Sequence, residues 1–261
     1  MDLDLRGRHA LVCGGSEGIG RAAAHELALL GADVTALSRR AEALGAVVAA
    51  LPRDRGQRHG FVAADVSAHD TLRAKVDALC AGKPVHILVN NTGGPPGGPA
   101  HSAAASAFLD AFQRHLLANQ LLVQAVLPGM RTDAWGRIVN VVSTSVREPI
   151  PNLGVSNTIR GAVASWAKTL SRELAPQGIT VNNVLPGYTE TGRIAQILRD
   201  RAATTGQPED AIAEGMRKAV PAGRFAQPAE VAAAIAFLCS PAAAYINGVS
   251  LAVDGGRMQS I

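Results

Sequence analysis

A short, mostly apolar run, His9-Ala10-Leu11-Val12-Cys13, leads directly into Gly14-Gly15-Ser16-Glu17-Gly18-Ile19-Gly20 and then into the helix-forming stretch 21–32. Few folds accommodate that succession. An apolar run without alternation reads as a strand buried on both faces, as in parallel sheets. Glycines at 14, 18 and 20 let the backbone turn sharply between strand and helix and approach a ligand closely. A helix starting there aims its unpaired N–H groups at that ligand, and a pyrophosphate suits such a turn. The spacing is Gly-x-x-x-Gly-x-Gly rather than the Gly-x-Gly-x-x-Gly of many dinucleotide-binding turns.

The alternation continues along the chain. Strands are expected at 33–40, 60–66, 86–91 and 179–192, with a last one in 240–256. Residues 137–160 read as a buried strand, a loop and the start of a long helix that continues through 161–178. Another long helix is expected over 103–131, and 193–219 reads as helical, polar and alanine-rich. There is no internal repeat and no linker. Strands that alternate with helices demand a parallel sheet covered on both faces. The expected fold is α/β: one Rossmann-like domain over 1–261 with a doubly wound parallel sheet of about seven strands.

Composition excludes several functions. Lys and Arg exceed Asp and Glu by a net charge of +4, but they are scattered, so a nucleic-acid face is not expected. A phosphate-bearing small ligand accounts for the balance equally well. The three cysteines, Cys13, Cys80 and Cys239, are far apart and form no metal-ligand spacing, so no metal and no disulfide are expected. Reduced thiols, no apolar stretch of spanning length and no signal-peptide pattern in the first residues give the expectation of a cytoplasmic protein away from membranes.

The end of the second strand, Ser38-Arg39-Arg40, follows the glycine turn at the distance where an adenosine ribose lies. An acid there would accept from the 2′-hydroxyl of NAD. Arg39 can instead pair with the 2′-phosphate of NADP, so NADP(H) is favoured over NAD(H). Two observations leave the choice open: Arg39 and Arg40 could be a solvated pair opening the next helix, and Glu17 would repel a phosphate.

Further motifs stand in register with the glycine turn: Asp65-Val66 after the third strand, Asn90-Asn91-Thr92-Gly93 after the fourth, Ser143 after the fifth, and Pro186-Gly187 with Thr189 and Thr191 after the sixth. The closing stretch 240–256 completes the set. Over nearly its whole length the chain resembles the short-chain dehydrogenase/reductase family, and is similar to its 3-ketoacyl-acyl-carrier-protein reductases. The resemblance implies a cofactor held by Gly14, Ser16, Glu17, Gly18, Ile19, Gly20, Arg39, Asp65, Val66, Asn91, Gly93, Arg160, Pro186, Gly187, Thr189 and Thr191. It also implies a small-molecule substrate, a mobile lid over about 188–222, and a homotetramer (or homodimer) built through the long helices.

The chain departs from the family at the reaction centre. The family places a tyrosine thirteen residues beyond its serine and a lysine four further on; this chain has Ser156 and Arg160. The only tyrosines, Tyr188 and Tyr245, precede no lysine at that spacing. Where the family has an asparagine that holds a relay water, this chain has His115, with Asn119 one turn later as the other candidate. Ser143, Ser156, Arg160 and His115 are the candidate catalytic residues. Ser156 and Arg160 share one helix face. Arginine supplies a fixed charge but shuttles no proton, and serine is a far weaker acid than a phenol. Water or His115 could then supply the proton. Three functions remain open: an NADP-dependent carbonyl/alcohol oxidoreductase with an atypical proton relay, an NADP-binding protein with aldol-type or dehydration chemistry in which Arg160 and Arg147 hold an anion, and a non-catalytic sensor or assembly subunit.

Overall fold

All five residues of β1 (His9–Cys13) are buried, flanked on one side by β2 (Asp33–Ser38) and on the other by β4 (Ile87–Asn90), both parallel to it. The computed structural model describes residues 1–260. Its one sheet has seven parallel strands in the order β3-β2-β1-β4-β5-β6-β7, with β3 at Gly60–Ala63, β5 at Gly136–Val141, β6 at Ile179–Pro186 and β7 at Ser250–Val253. The order reverses at β1, so a crevice opens between β1 and β4 at their carboxyl ends, where such sheets bind ligands.

Helices α1 (Gly18–Leu29) and α9 (Pro228–Cys239) cover one face with α2 (Ala41–Ala50) beside them, and α3 (His69–Gly82), α5 (Ala118–Thr132) and α6 (Gly154–Leu174) cover the other. Two aliphatic cores result. Leu27, Val34, Val139 and Ile235 belong to the first; Leu11, Leu88, Leu122, Ile138 and Val181 belong to the second. The central strands β1, β4 and β5 are buried throughout, and their sequences are mostly apolar.

A polar ladder crosses the second half of the sheet. Asn90 Nδ2 donates to Asn140 Oδ1 at 2.9 Å, Asn140 Nδ2 to Asn183 Oδ1 at 3.1 Å, and Asn183 Nδ2 to Ser250 Oγ at 3.1 Å. These residues pair directly in register across β4, β5, β6 and β7.

Element bounds differ from the expected ones in ways that matter. β2 ends at Ser38 and β3 at Ala63, two and three residues earlier than expected, so Arg39, Arg40, Asp65 and Val66 leave the sheet and face the crevice. The helix expected over 103–131 is α4 (Ala105–Phe112), a π-turn (Gln113–Leu117) and α5 in succession. The segment 193–219 is two helices, α7 (Gly192–Thr205) and α8 (Glu209–Lys218). Gly206, at φ +70°, and Pro208 separate them.

Candidate functional site

The loops that follow β1 to β6 enclose a cleft of about 740 Å³ at the carboxyl edge of the sheet. Its wall starts at the glycine turn. Gly14 has φ +62°, and a side chain on Gly20 would lie 2.2 Å from the Gly14 carbonyl oxygen, so α1 can start this close to the strand only with glycine at both places. The first turn of α1 carries no acidic residue, and its N-cap, Glu17, makes no side-chain cap. The N–H groups there remain available to an anion. Asn91 braces the turn, donating from Nδ2 to the Cys13 carbonyl at 3.3 Å.

At the far end of this half, Glu17 and Arg40 form an ion pair at 2.6 Å, and Arg39 is exposed with no acidic partner among the described residues. Ser38 lines the wall, and its hydroxyl is buried without a partner. Asp65 accepts from the Ser67 amide and hydroxyl at 2.9 and 2.7 Å, which lowers its pKa. It does not cap the next helix, whose N-cap is Ala68.

The other half gathers Ser143, Ser156 and Arg160. Ser143 Oγ accepts from the Ser145 amide at 3.1 Å, leaving its proton free to donate into the cleft. The Ser156 hydroxyl has no protein partner among the described residues and borders the same space one turn before Arg160. Arg160 is only 9% exposed; it donates to the Val141 carbonyl at 2.8 Å and the Thr92 carbonyl at 3.3 Å. Burial, reinforced by Arg193, pulls its pKa down to about 10, which still leaves it charged at neutral pH.

Two expectations need correction. His115 is not on the cleft wall. It is 2% exposed, in the π-turn behind Thr92, whose Oγ1 lies 2.6 Å from its Nδ1. Burial and the charges of Arg160 and Arg114 push its pKa down to about 3, so at neutral pH it is a neutral imidazole and not the imidazolium that would act as an acid. Arg147 also misses the cleft: it is exposed and donates to the Ser250 carbonyl at 3.0 Å. The expected Pro186, Gly187, Thr189 and Thr191 do line it, as do Ser16, Gly18, Ile19, Val66 and Gly93; Gly20 acts from beneath the turn.

Sequence reasoning missed three cleft arginines, Arg114, Arg193 and Arg257. Arg257 donates to Thr144 Oγ1 at 2.9 Å and lies 4.8 Å above the Tyr188 ring. Arg193 opens α7 just beyond Thr191, and that position was the available signal. In total six arginines face the cleft against two carboxylates, Glu17 and Asp65. No group of three or more His, Cys, Asp or Glu side chains suited to a metal occurs among the described residues, and no described helix is long and apolar enough to cross a membrane.

A family profile described as enoyl-(acyl carrier protein) reductase matches residues 14–257. The chain is 36% identical over 261 residues to 3-oxoacyl-(acyl-carrier-protein) reductase FabG of Vibrio cholerae, covering 97% of this chain and 98% of that one. Among solved structures, the L-sorbose reductase of Gluconobacter frateurii, complexed with NADPH and L-sorbose, superposes with a TM-score of 0.93 at 28% identity over 100% of both chains. A variant of actinorhodin polyketide ketoreductase with NADPH superposes with a TM-score of 0.90 at 32% identity over 97% of this chain and 98% of that one. A seven-stranded sheet with its glycine turn at the strand-order reversal, and these matches over nearly the full length, lead to one conclusion: the chain belongs to the short-chain dehydrogenase/reductase family.

Proposed function

We propose that this protein is an NADP(H)-dependent oxidoreductase that interconverts a carbonyl and an alcohol on a small-molecule substrate, with Ser156 and Arg160 standing where the family has tyrosine and lysine. The observation that carries this reading is the charge at the adenosine end of the cleft. The Glu17 carboxylate is occupied by Arg40, and Arg39 forms no ion pair among the described residues, its charge reaching Asp65 only as a minor contribution. A 2′-phosphate there meets a free guanidinium and a compensated acid, a charge-assisted arrangement a bare hydroxyl cannot exploit. The uncapped start of α1 and the unpartnered Ser38 hydroxyl fit the same ligand. NADPH in the solved relatives supports it.

A bound nicotinamide supplies the hydride, and the chain supplies position and charge. Ser143 and Ser156 donate hydrogen bonds to the substrate oxygen. Arg160, held by the Val141 and Thr92 carbonyls, stabilises the negative charge that develops there. His115 stays neutral and sets the Thr92 side chain. The proton comes from water. Residues 188–222 serve as the substrate lid; its Ile194, Ile212 and Met216 form a hydrophobic cluster with Phe225 just beyond it. The exposed Leu109, Phe112 and Leu117 suit burial between subunits of a homotetramer, which a mass measurement in solution would test.

The test is titration of the purified protein with NADPH and, separately, NADH, followed by nicotinamide fluorescence and thermal shift. Micromolar NADPH binding with NADH much weaker is expected, followed by substrate-dependent NADPH oxidation across a carbonyl panel. Binding of neither cofactor overturns the reading.

A further inference from the structure

Two guanidinium groups converge over Gly94. A Cβ built on that glycine would lie 3.7 Å from Arg160 Nη2 and 3.8 and 3.9 Å from Arg193 Nη2 and Nε, so both arginines border the space its missing side chain leaves open. They reach it from different elements, α6 and the start of α7. Each is fixed by neutral carbonyls: Arg160 by Val141 and Thr92, Arg193 by Pro95 at 2.7 Å. No carboxylate balances them. The two acids on the cleft wall, Glu17 and Asp65, are engaged at the opposite end with Arg40 and Ser67. Two cations, one of them 9% exposed, are costly to hold side by side without an anion. Arg257, held by Thr144, adds a third positive charge to this half of the cleft.

We propose that Arg160 and Arg193 clamp a carboxylate of the substrate, so that the protein reduces small oxo acids and oxidises the matching hydroxy acids. The assignment rests on the proposed oxidoreductase reading and deepens it. The planar fork of arginine matches a carboxylate through paired N–H donors. The clamp also lies beside the reacting hydroxyls. Arg160 bonds the carbonyl of Val141, two residues before Ser143, and lies one turn beyond Ser156. A carboxylate held there brings a carbonyl a few bonds away to the two serines. The balance is simple: hydride goes to the carbonyl carbon, a proton from water goes to the oxygen, NADPH becomes NADP⁺, and the carboxylate is unchanged. A cofactor phosphate is the competing anion: a Cβ on Gly18 of the glycine turn would lie 3.2 Å from Thr191, two residues before Arg193, so the test below also reads NADPH affinity.

The experiment compares binding of 2-oxobutanoate, acetoacetate and levulinate with that of their methyl esters, by calorimetry on the NADP⁺-loaded protein. These pairs vary the distance between carbonyl and carboxylate, and within each pair the ester replaces the negative charge with one methyl group. At least one acid should bind tenfold or more tightly than its ester. Arg193→Met should abolish that difference while leaving NADPH affinity within twofold, and Arg193→Lys should restore part of it. Equal affinity of acid and ester in all three pairs overturns the clamp, as does discrimination that survives in Arg193→Met. A tenfold loss of NADPH affinity in that variant with acid binding unchanged assigns the arginines to the cofactor and also overturns it. Failure of the unmodified protein to bind NADPH would remove the oxidoreductase reading itself, whereas NADPH binding without acid preference would remove only the clamp.

Discussion

Arg39 and His115 mark opposite limits of what one residue's identity reveals. Arg39 could be read from its place at the end of β2, and the apparent objection, Glu17, is answered by a neighbour on the same loop: Arg40 takes the carboxylate at 2.6 Å. Arg39→Ala should therefore weaken NADPH by about tenfold or more, about 1.4 kcal/mol, and leave NADH nearly unchanged. Equal losses for both cofactors would show that Arg39 does not read the phosphate. His115 could not be read in this way, because its identity suggests an acid–base group and only its burial cancels that. With its pKa at about 3 in the folded protein and near 6.5 unfolded, the unfolded chain binds a proton between these values and the folded chain does not. Its contribution to stability is complete above pH 6.5 and is lost progressively as pH falls toward 3. Between pH 7 and pH 5 this one group should cost up to about 2 kcal/mol. Urea midpoints should fall more over that range in the unaltered protein than in His115→Gln, and parallel curves would sink the argument. At Ser156, exposed to the cleft without a protein partner, replacement by alanine should lower kcat by about 10²-fold with NADPH affinity unchanged.

Elements were more legible than residues, because periodicity and glycine placement act over many positions at once. The apolar runs of β1, β4 and β5 announced central parallel strands, and the glycine turn announced where α1 begins. The π-turn inside the long helix had no such signal: Gln113–Leu117 fits a helical pattern as well as its neighbours do, and packing around His115 and Thr92 is what distinguishes it. The asparagine ladder was half legible. Asn90, Asn140 and Asn183 each sit in an apolar strand, an expensive place for an amide, but only the register of β4, β5 and β6 aligns them. Asn140 is the middle rung, donating to one neighbour and accepting from the other. Asn140→Ala removes both bonds and leaves a buried donor on Asn90 and a buried acceptor on Asn183. It should cost roughly 2–4 kcal/mol in chemical denaturation. A loss below about 1 kcal/mol would mean that water replaces the rung.

At the scale of the whole molecule, the chain is a rigid sheet carrying one excursion. The excursion starts and ends at a single clip: the Glu190 amide donates to the Ala226 carbonyl at 2.9 Å, and the Ala226 amide to the Tyr188 carbonyl at 2.8 Å. Between these points α7 and α8 pack on each other around Ile194, Ile212, Met216 and Phe225, a cluster separate from the two cores against the sheet. The family resemblance implied a mobile lid here, while the polar, alanine-rich sequence of 193–219 hid this cluster, since its apolar residues are too sparse to stand out before the helices are paired. The segment has its own small core and is tied to the body by the clip, the Arg193–Pro95 contact, the Ala222 amide donating to the Gly255 carbonyl at 3.1 Å and the Arg224–Glu230 ion pair on α9, few enough ties for it to open as a unit. Hydrogen exchange should therefore run faster in α7 and α8 than in β1, β4 and β5. Saturation with NADP⁺ alone should slow it little. NADP⁺ with an oxo acid should slow it several-fold, because the carboxylate would join Arg193 on the excursion to Arg160 on the body. Exchange in α7 as slow as in β4 without any ligand would show that the excursion is part of the rigid body and that the cleft does not close over its substrate by this route.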